Sequence, residues 1–306
     1  MLVEKGCLFN SRINHDNHAH SPLYRLMPEL IILISSYLDE SSKAALAMTS
    51  SKFYKKIKYK KNICYHAAQH GHLALFKWGR ALKGEFRPHA YAHLAAMNGH
   101  LPILEYIQSI GIKLTEKLPE TAAYHSQFDI LDWCHENKIP FNVIVSNFLA
   151  LKGHFEKLKW AHQKGAPLSP KVCEYAALKG NLEMLKWARE NGANWNEAVL
   201  EKAAFKGRVN IIEWAVKNKA PITPYAAANA AMNGHLEALS KIRELSLPWN
   251  ELVCIYAARF DQLKVLEWAI QNGAPHSIGE LIHTARLVNQ KEIVAWLQAL
   301  QKQKLR

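Results

Sequence analysis

The chain has 306 residues, a formal net charge of +13 at pH 7 and 49% hydrophobic residues. That hydrophobic fraction is ordinary for a folded protein, and no run of about 18 apolar residues is present to span a membrane. The charge favours acidic partners, whether a protein face, nucleic acid or an anionic membrane, without choosing among them.

Residues 1–21 are polar, and MLVEKGCLFNSRINHDNHAH lacks the basic-then-apolar layout of a signal peptide. They read as a flexible tail. His15, His18 and His20 leave a metal site as the alternative, but no metal is expected.

Residues 22–58 form a second segment. Leu26, Leu30, Leu33, Ile34, Tyr37 and Leu38 fall on one face of an amphipathic helix. Ala44, Ala45, Leu46 and Met48 suggest a second helix, and Phe53, Tyr54 and Ile57 a third. So short a segment must dock on something larger. The order Leu26, Pro28, Glu29, Leu30, then Ile34, Tyr37, Leu38, Asp39, then Ala45, Leu46, Ala47, then Ser50, Phe53, Tyr54 resembles an F-box. The resemblance implies a Skp-type adaptor of a cullin ubiquitin ligase as partner, with Leu26, Pro28, Ile31, Ile34, Tyr37 and Leu38 facing it. Met27, between Leu26 and Pro28, and Ser42-Lys43-Ala44, where the family often has Asp-Leu-Leu, depart from the pattern. Without the resemblance, the same helices read as a cap on the end of a repeat array. Lys52, Lys55, Lys56, Lys58, Lys60 and Lys61 then make a basic run with Phe53, Tyr54 and Tyr59, either a solvated helix face or a nucleic-acid contact.

Residues 59–306 repeat. Trp133, Trp160, Trp187 and Trp214 are each 27 residues apart, and Trp78, Tyr106, Trp268 and Trp296 keep nearly the same beat. Lys241 breaks the ladder, which predicts a loosely packed seventh repeat. An alanine pair recurs in phase, from Ala67-Ala68 to Ala257-Ala258, with Leu149-Ala150 and Thr284-Ala285 as variants. A glycine three residues on, as at Gly153 and Gly180, usually follows and ends the first helix of the repeat. In residues 169–192, Ser169 caps a helix that starts at Pro170, and a second helix runs through Leu182, Leu185 and Ala188. The fold class is therefore all-α, a helix-turn-helix repeat solenoid of about nine repeats, with the tryptophans in its core.

The run Ala230-Ala231-Met232-Asn233-Gly234-His235-Leu236-Glu237 resembles the heart of an ankyrin repeat. A period of 27 rather than 33 implies shortened fingers. The short, tryptophan-rich repeats resemble F-box and ankyrin-like proteins of amoeba-associated viruses and intracellular bacteria.

The chemistry-bearing residues are absorbed by the period. Cys64, Cys173 and Cys254 share one position, and Cys134 stands where Ala161, Ala188, Ala215 and Ala269 stand elsewhere, so they are read as small buried groups. With Cys7 they make five, an odd number without close pairs, which suits a reducing cytoplasm or nucleus. His72, His100, His154 and His235 share the position after the turn glycine and are expected to bond turn backbone. No zinc-protease, serine-hydrolase, P-loop or dinucleotide motif is present, so no catalytic residue and no cofactor is expected. Lys152, Lys179 and Lys206 form a ridge, and Phe148, Tyr175 and Lys202 lie four residues before them; these six are the candidate target-binding residues. The expectation is a monomeric substrate receptor holding an acidic target protein. A stand-alone ankyrin-like scaffold is the alternative. Binding of nucleic acid or an acidic surface rests on charge alone and is not expected.

Overall fold

The computed structural model describes residues 42–43, 63–81 and 86–304. They hold eighteen helices in nine antiparallel pairs and no strand. The chain divides into two compact blocks, Met1–Lys113 and Leu114–Arg306. The first contains α1 (Ile63–His70), α2 (Leu73–Ala81), α3 (Pro88–Met97) and α4 (Leu101–Ser109). The second contains α5 (Lys117–Tyr124), α6 (Phe128–Glu136), α7 (Val143–Lys152), α8 (Phe155–Gln163), α9 (Pro170–Lys179), α10 (Leu182–Glu190), α11 (Ala198–Phe205) and α12 (Val209–Lys217). It continues with α13 (Tyr225–Met232), α14 (Leu236–Glu244), α15 (Leu252–Arg259), α16 (Leu263–Gln271), α17 (Ile278–Leu287) and α18 (Lys291–Lys304). Odd-numbered helices are the first of each repeat.

Within each block, consecutive first helices pack along their length, whereas second helices touch one another far less. The alanine pairs cause this. Ala176-Ala177, Ala203-Ala204 and Ala230-Ala231 are all fully buried, and a methyl side chain lets two helix axes approach at the short end of the usual 8–10 Å. Linkers such as residues 137–142 and 164–169 are too short for projecting hairpins.

The first turn of every repeat, and most of the second turns, close by the same device. The residue after the positive-φ turn position donates its backbone N–H to the carbonyl of the first alanine position, as in Asn181 to Ala176 (2.9 Å) and His235 to Ala230 (3.0 Å). The second helix ends likewise, with Ala193 bonded to Ala188 and Ala220 to Ala215. These are Schellman closures, and each needs one residue with positive φ. Glycine supplies most of them, but Ser126, Asp261 and Asn289 do so in the first turn and Lys138, Lys219 and Ser246 in the second.

Two recurring contacts tie neighbouring repeats within the blocks. A linker side chain donates to a polar group midway along the preceding first helix: Asn142 to Glu120 (2.6 Å), Ser169 to Asn147 (2.7 Å), Asn196 to Glu174 (3.1 Å) and Thr223 to Glu201 (2.8 Å). Asn142 and Ser169 also cap α7 and α9, as expected for Ser169 before Pro170. The other tie is at the turn. His100 Nε2 donates to Gln69 O (3.0 Å) and His235 Nε2 to Phe205 O (3.2 Å), so the shared histidine position bonds the turn of the preceding repeat. These rings lie against the preceding glycines: a Cβ on Gly207 would stand 2.9 Å from the His235 ring. Gly153 has open space, because the side chain at the matching position in the next repeat is the shorter Asn181.

The tryptophans correct the expected core. Trp133 alone is buried at this position; Trp78, Trp160, Trp187, Trp214, Trp268 and Trp296 are half-buried. The buried stripe of a second helix runs through residues such as Met184, Leu185 and Ala188, centred about 100° around the helix from Trp187. The indole therefore flanks the core and packs on the linker. Linker aromatics meet it in alternate repeats: Phe141 with Trp160 (5.7 Å), Trp195 with Trp214 (5.7 Å) and Trp249 with Trp268 (6.2 Å). Arg189 and Arg243 stack on Trp195 and Trp249, at 4.5 and 4.1 Å, and bond the carbonyls of Ala193 and Leu247.

Lys157 occupies a position that is apolar in the other second helices. It reaches out to pair with Asp132 while lying 3.7 Å over the Trp160 ring. Lys241 behaves similarly, pairing with Glu213 (3.1 Å) and Glu244 (2.7 Å). Its repeat is not loose. All five alanines of α13 are buried, and α13 makes the most extensive contacts of any first helix with its two neighbours. The last pair is also shifted from expectation. Gln290 N bonds Ala285 O, so the alanine pair is replaced by Ala285-Arg286, and Arg286 is exposed.

The turn geometry predicts a graded series, read from urea midpoints by far-ultraviolet circular dichroism. Gly153→Ala should cost about 1 kcal/mol for the left-handed backbone alone, and Gly207→Ala about 2 kcal/mol or more because His235 must also move. Lys219→Gly should stabilise by about 0.5 kcal/mol.

Candidate protein-binding surface

The stacking leaves one face of every first helix uncovered. Among the described residues the exposed large apolar side chains are Tyr65, Met97, Tyr124, Ile144, Ile222, Tyr225, Phe260, Leu287 and Val288. All except Ile222, in a linker, lie on a first helix or at its C-terminal cap, and the second helices contribute none. Tyr225 is 52% and Leu287 74% exposed. Within each block, exposed apolar groups gathered on the first helices mark a contact surface more than scattered ones do.

The charges on this face are one-sided in the α7–α11 region. Lys152, Lys179, Lys202 and Lys206 are exposed, and none forms an ion pair with a described residue. Acidic residues of the same helices are engaged inward. Glu120, Glu174 and Glu201 accept the linker hydrogen bonds, and Glu174 is only 5% exposed. Lys152 Nζ lies 4.4 Å from the Tyr124 ring centroid and Lys206 Nζ 5.3 Å from that of Phe205. Lysines lying over aromatic rings present charge and apolar area together.

The structure places the six sequence-derived residues on this face, with one adjustment. Phe148 and Tyr175 are half-buried rather than fully exposed, and the Phe148 ring meets Tyr124 edge-on at 5.0 Å. Sequence reasoning missed Tyr124, Ile144, Tyr225 and Phe260. The signal for Tyr124 was available: its position, just before the lysine ridge, holds Leu151, Leu178, Phe205 and Met232 in the following repeats. The adaptor-facing residues Leu26, Pro28, Ile31, Ile34, Tyr37 and Leu38, the tail histidines and the lysine run at 52–61 lie outside the described residues.

The thiols are unreactive where they stand. Cys64, Cys134, Cys173 and Cys254 are free and buried. Burial pushes Cys64 and Cys173 up to about 11, and Cys134 and Cys254 up to about 12, so all four stay protonated near neutrality. Among the described residues no group of three or more His, Cys, Asp or Glu side chains is placed to hold a metal ion.

Residues 173–216, from α9 through α12, match the family of ankyrin repeats in many copies. No curated protein matches the chain. The match covers two of the stacked helix pairs, and the described residues form a helical repeat scaffold in which those repeats are similar to ankyrin repeats, an architecture suited to protein–protein interaction. No helix among the described residues is long and apolar enough to cross a membrane.

One group at the edge of this face gives a pH signature. His154 Nε2 bonds Ser126 Oγ (2.7 Å) and its ring meets Phe128. Burial, and then the Lys152 charge, hold its pKa below the usual 6.5. The folded protein thus favours neutral His154, and the unfolded chain takes up the proton first as pH falls. This contribution to stability is complete above about pH 6.5 and is lost on acidification. Between pH 7.5 and 5.0, His154→Gln should lose less thermal stability than the parent chain; an equal loss would show that His154 is not a source.

Proposed function

We propose that the protein is a non-enzymatic substrate receptor. The first-helix face of the repeats holds an acidic target protein, and residues 22–58 link it to a cullin-type ubiquitin ligase through a Skp-type adaptor. The observation that supports target binding is the concentration of exposed apolar side chains and unpaired lysines on one face of the scaffold. The proposed contact residues are Phe148, Lys152, Tyr175, Lys179, Lys202 and Lys206, joined by Tyr124. The ligase link is supported by the F-box-like order of Leu26, Pro28, Ile31, Ile34, Tyr37 and Leu38.

Such a receptor does no bond chemistry. It raises the concentration of target near a charged conjugating enzyme, and affinity on both sides sets its output.

Binding of the full chain to a purified Skp-type adaptor tests the ligase link. Calorimetry should detect a complex with the parent protein, weakened about tenfold or more by Pro28→Ala or Leu38→Ala. No complex with the parent chain would leave a stand-alone scaffold.

A further inference from the structure

The lysine ridge has a spacing that a particular kind of chain would match. Lys152, Lys179 and Lys206 occupy the same position at the C-terminal ends of α7, α9 and α11, on three consecutive repeats. The residues just before them, Leu151, Leu178 and Phe205, are half-buried, so a cationic row runs beside an apolar row. The cationic row stops at half-buried His125 on one side and Asn233 on the other. Lys202, four residues before Lys206, adds charge at the α11 end.

Packed helices stand about 8–10 Å apart; α9 and α11 meet through alanine pairs, and α7 presents Leu149-Ala150 to α9. An extended polyproline-II chain rises about 3.1 Å per residue with three residues per turn, so every third side chain returns to one side after about 9.3 Å. An α-helix returns nearest at the seventh residue, about 10.5 Å, beyond the range. A β-strand puts every third side chain on alternate faces. The three-residue period fits best.

We propose that this ridge binds an extended segment of a partner protein carrying a carboxylate at every third position, each next to an apolar side chain. The segment's carboxylates pair with Lys152, Lys179 and Lys206, and its apolar side chains lie along Leu151, Leu178 and Phe205. The proposal rests on the reading of the first-helix face as the target-binding surface and specifies its ligand.

Three fluorescein-labelled 15-residue peptides test it with the full chain. One repeats Glu-Leu-Pro; the second has the same composition with its glutamates grouped together; the third is an alanine-rich helix with glutamate at every seventh position. Fluorescence anisotropy at low salt should show the first binding about tenfold tighter than the second, with affinity falling as salt is added. Lys179→Glu, at an exposed and unpaired site, should weaken the first peptide about tenfold while circular dichroism stays unchanged. Equal binding of the first two, or no binding of the first, overturns the proposal. Tighter binding of the helical peptide, still weakened by Lys179→Glu, overturns the three-residue register but leaves the lysine face as the target-binding surface. Binding insensitive to Lys179→Glu removes both.

Discussion

The close approach of successive first helices governs the rest of this structure. Most contribute a buried alanine pair, and the axes come together because nothing larger than a methyl group stands between most of them. Close contact along one row confines larger side chains to the other. The second helices carry Leu, Ile and Met toward the shared interior and leave their tryptophans at the flank, sheltered by linker aromatics and arginines. The turn ties follow as well. A histidine reaches the carbonyl of the preceding turn, and packs over its glycine, only when neighbouring repeats sit this close.

The same constraint shapes the candidate binding face. First helices bury their alanine side and engage their mid-helix carboxylates inward, at Glu120, Glu174 and Glu201. What remains outward is a set of lysines without counter-charges and a row of aromatic and aliphatic side chains. A packing rule for the core thus yields a surface that is both cationic and apolar. With linkers too short for fingers, the helix faces make up the exposed surface of the repeats.

Much of this was legible in the sequence. The 27-residue beat, the alanine pairs, the turn glycines and the Ser169-Pro170 start each have a local cause, and the structure has them in place. The position of the tryptophans was not, because recurrence shows that a residue is constrained but not from which side. An indole on the flank of a stripe repeats as faithfully as one inside it. The linker ties were hidden for a different reason: Asn142, Ser169, Asn196 and Thr223 differ chemically while performing one task. At the end of the array, an extra residue between His276 and Ala285 shifts the alanine pair by one, which a fixed period misplaces. Of the six candidate contact residues, Lys152, Lys179 and Lys206 stood out because a charge recurs in phase, and Phe148, Tyr175 and Lys202 because their position varies where core positions do not.

First-helix stacking, rather than tryptophan burial, holds the array together. Native-state hydrogen exchange resolved by residue tests this most directly. The slowest amides should lie in α9, α11 and α13, with those of α10, α12 and α14 exchanging faster. Equal or greater protection in the second helices would contradict the account and return the tryptophans to the centre of the fold.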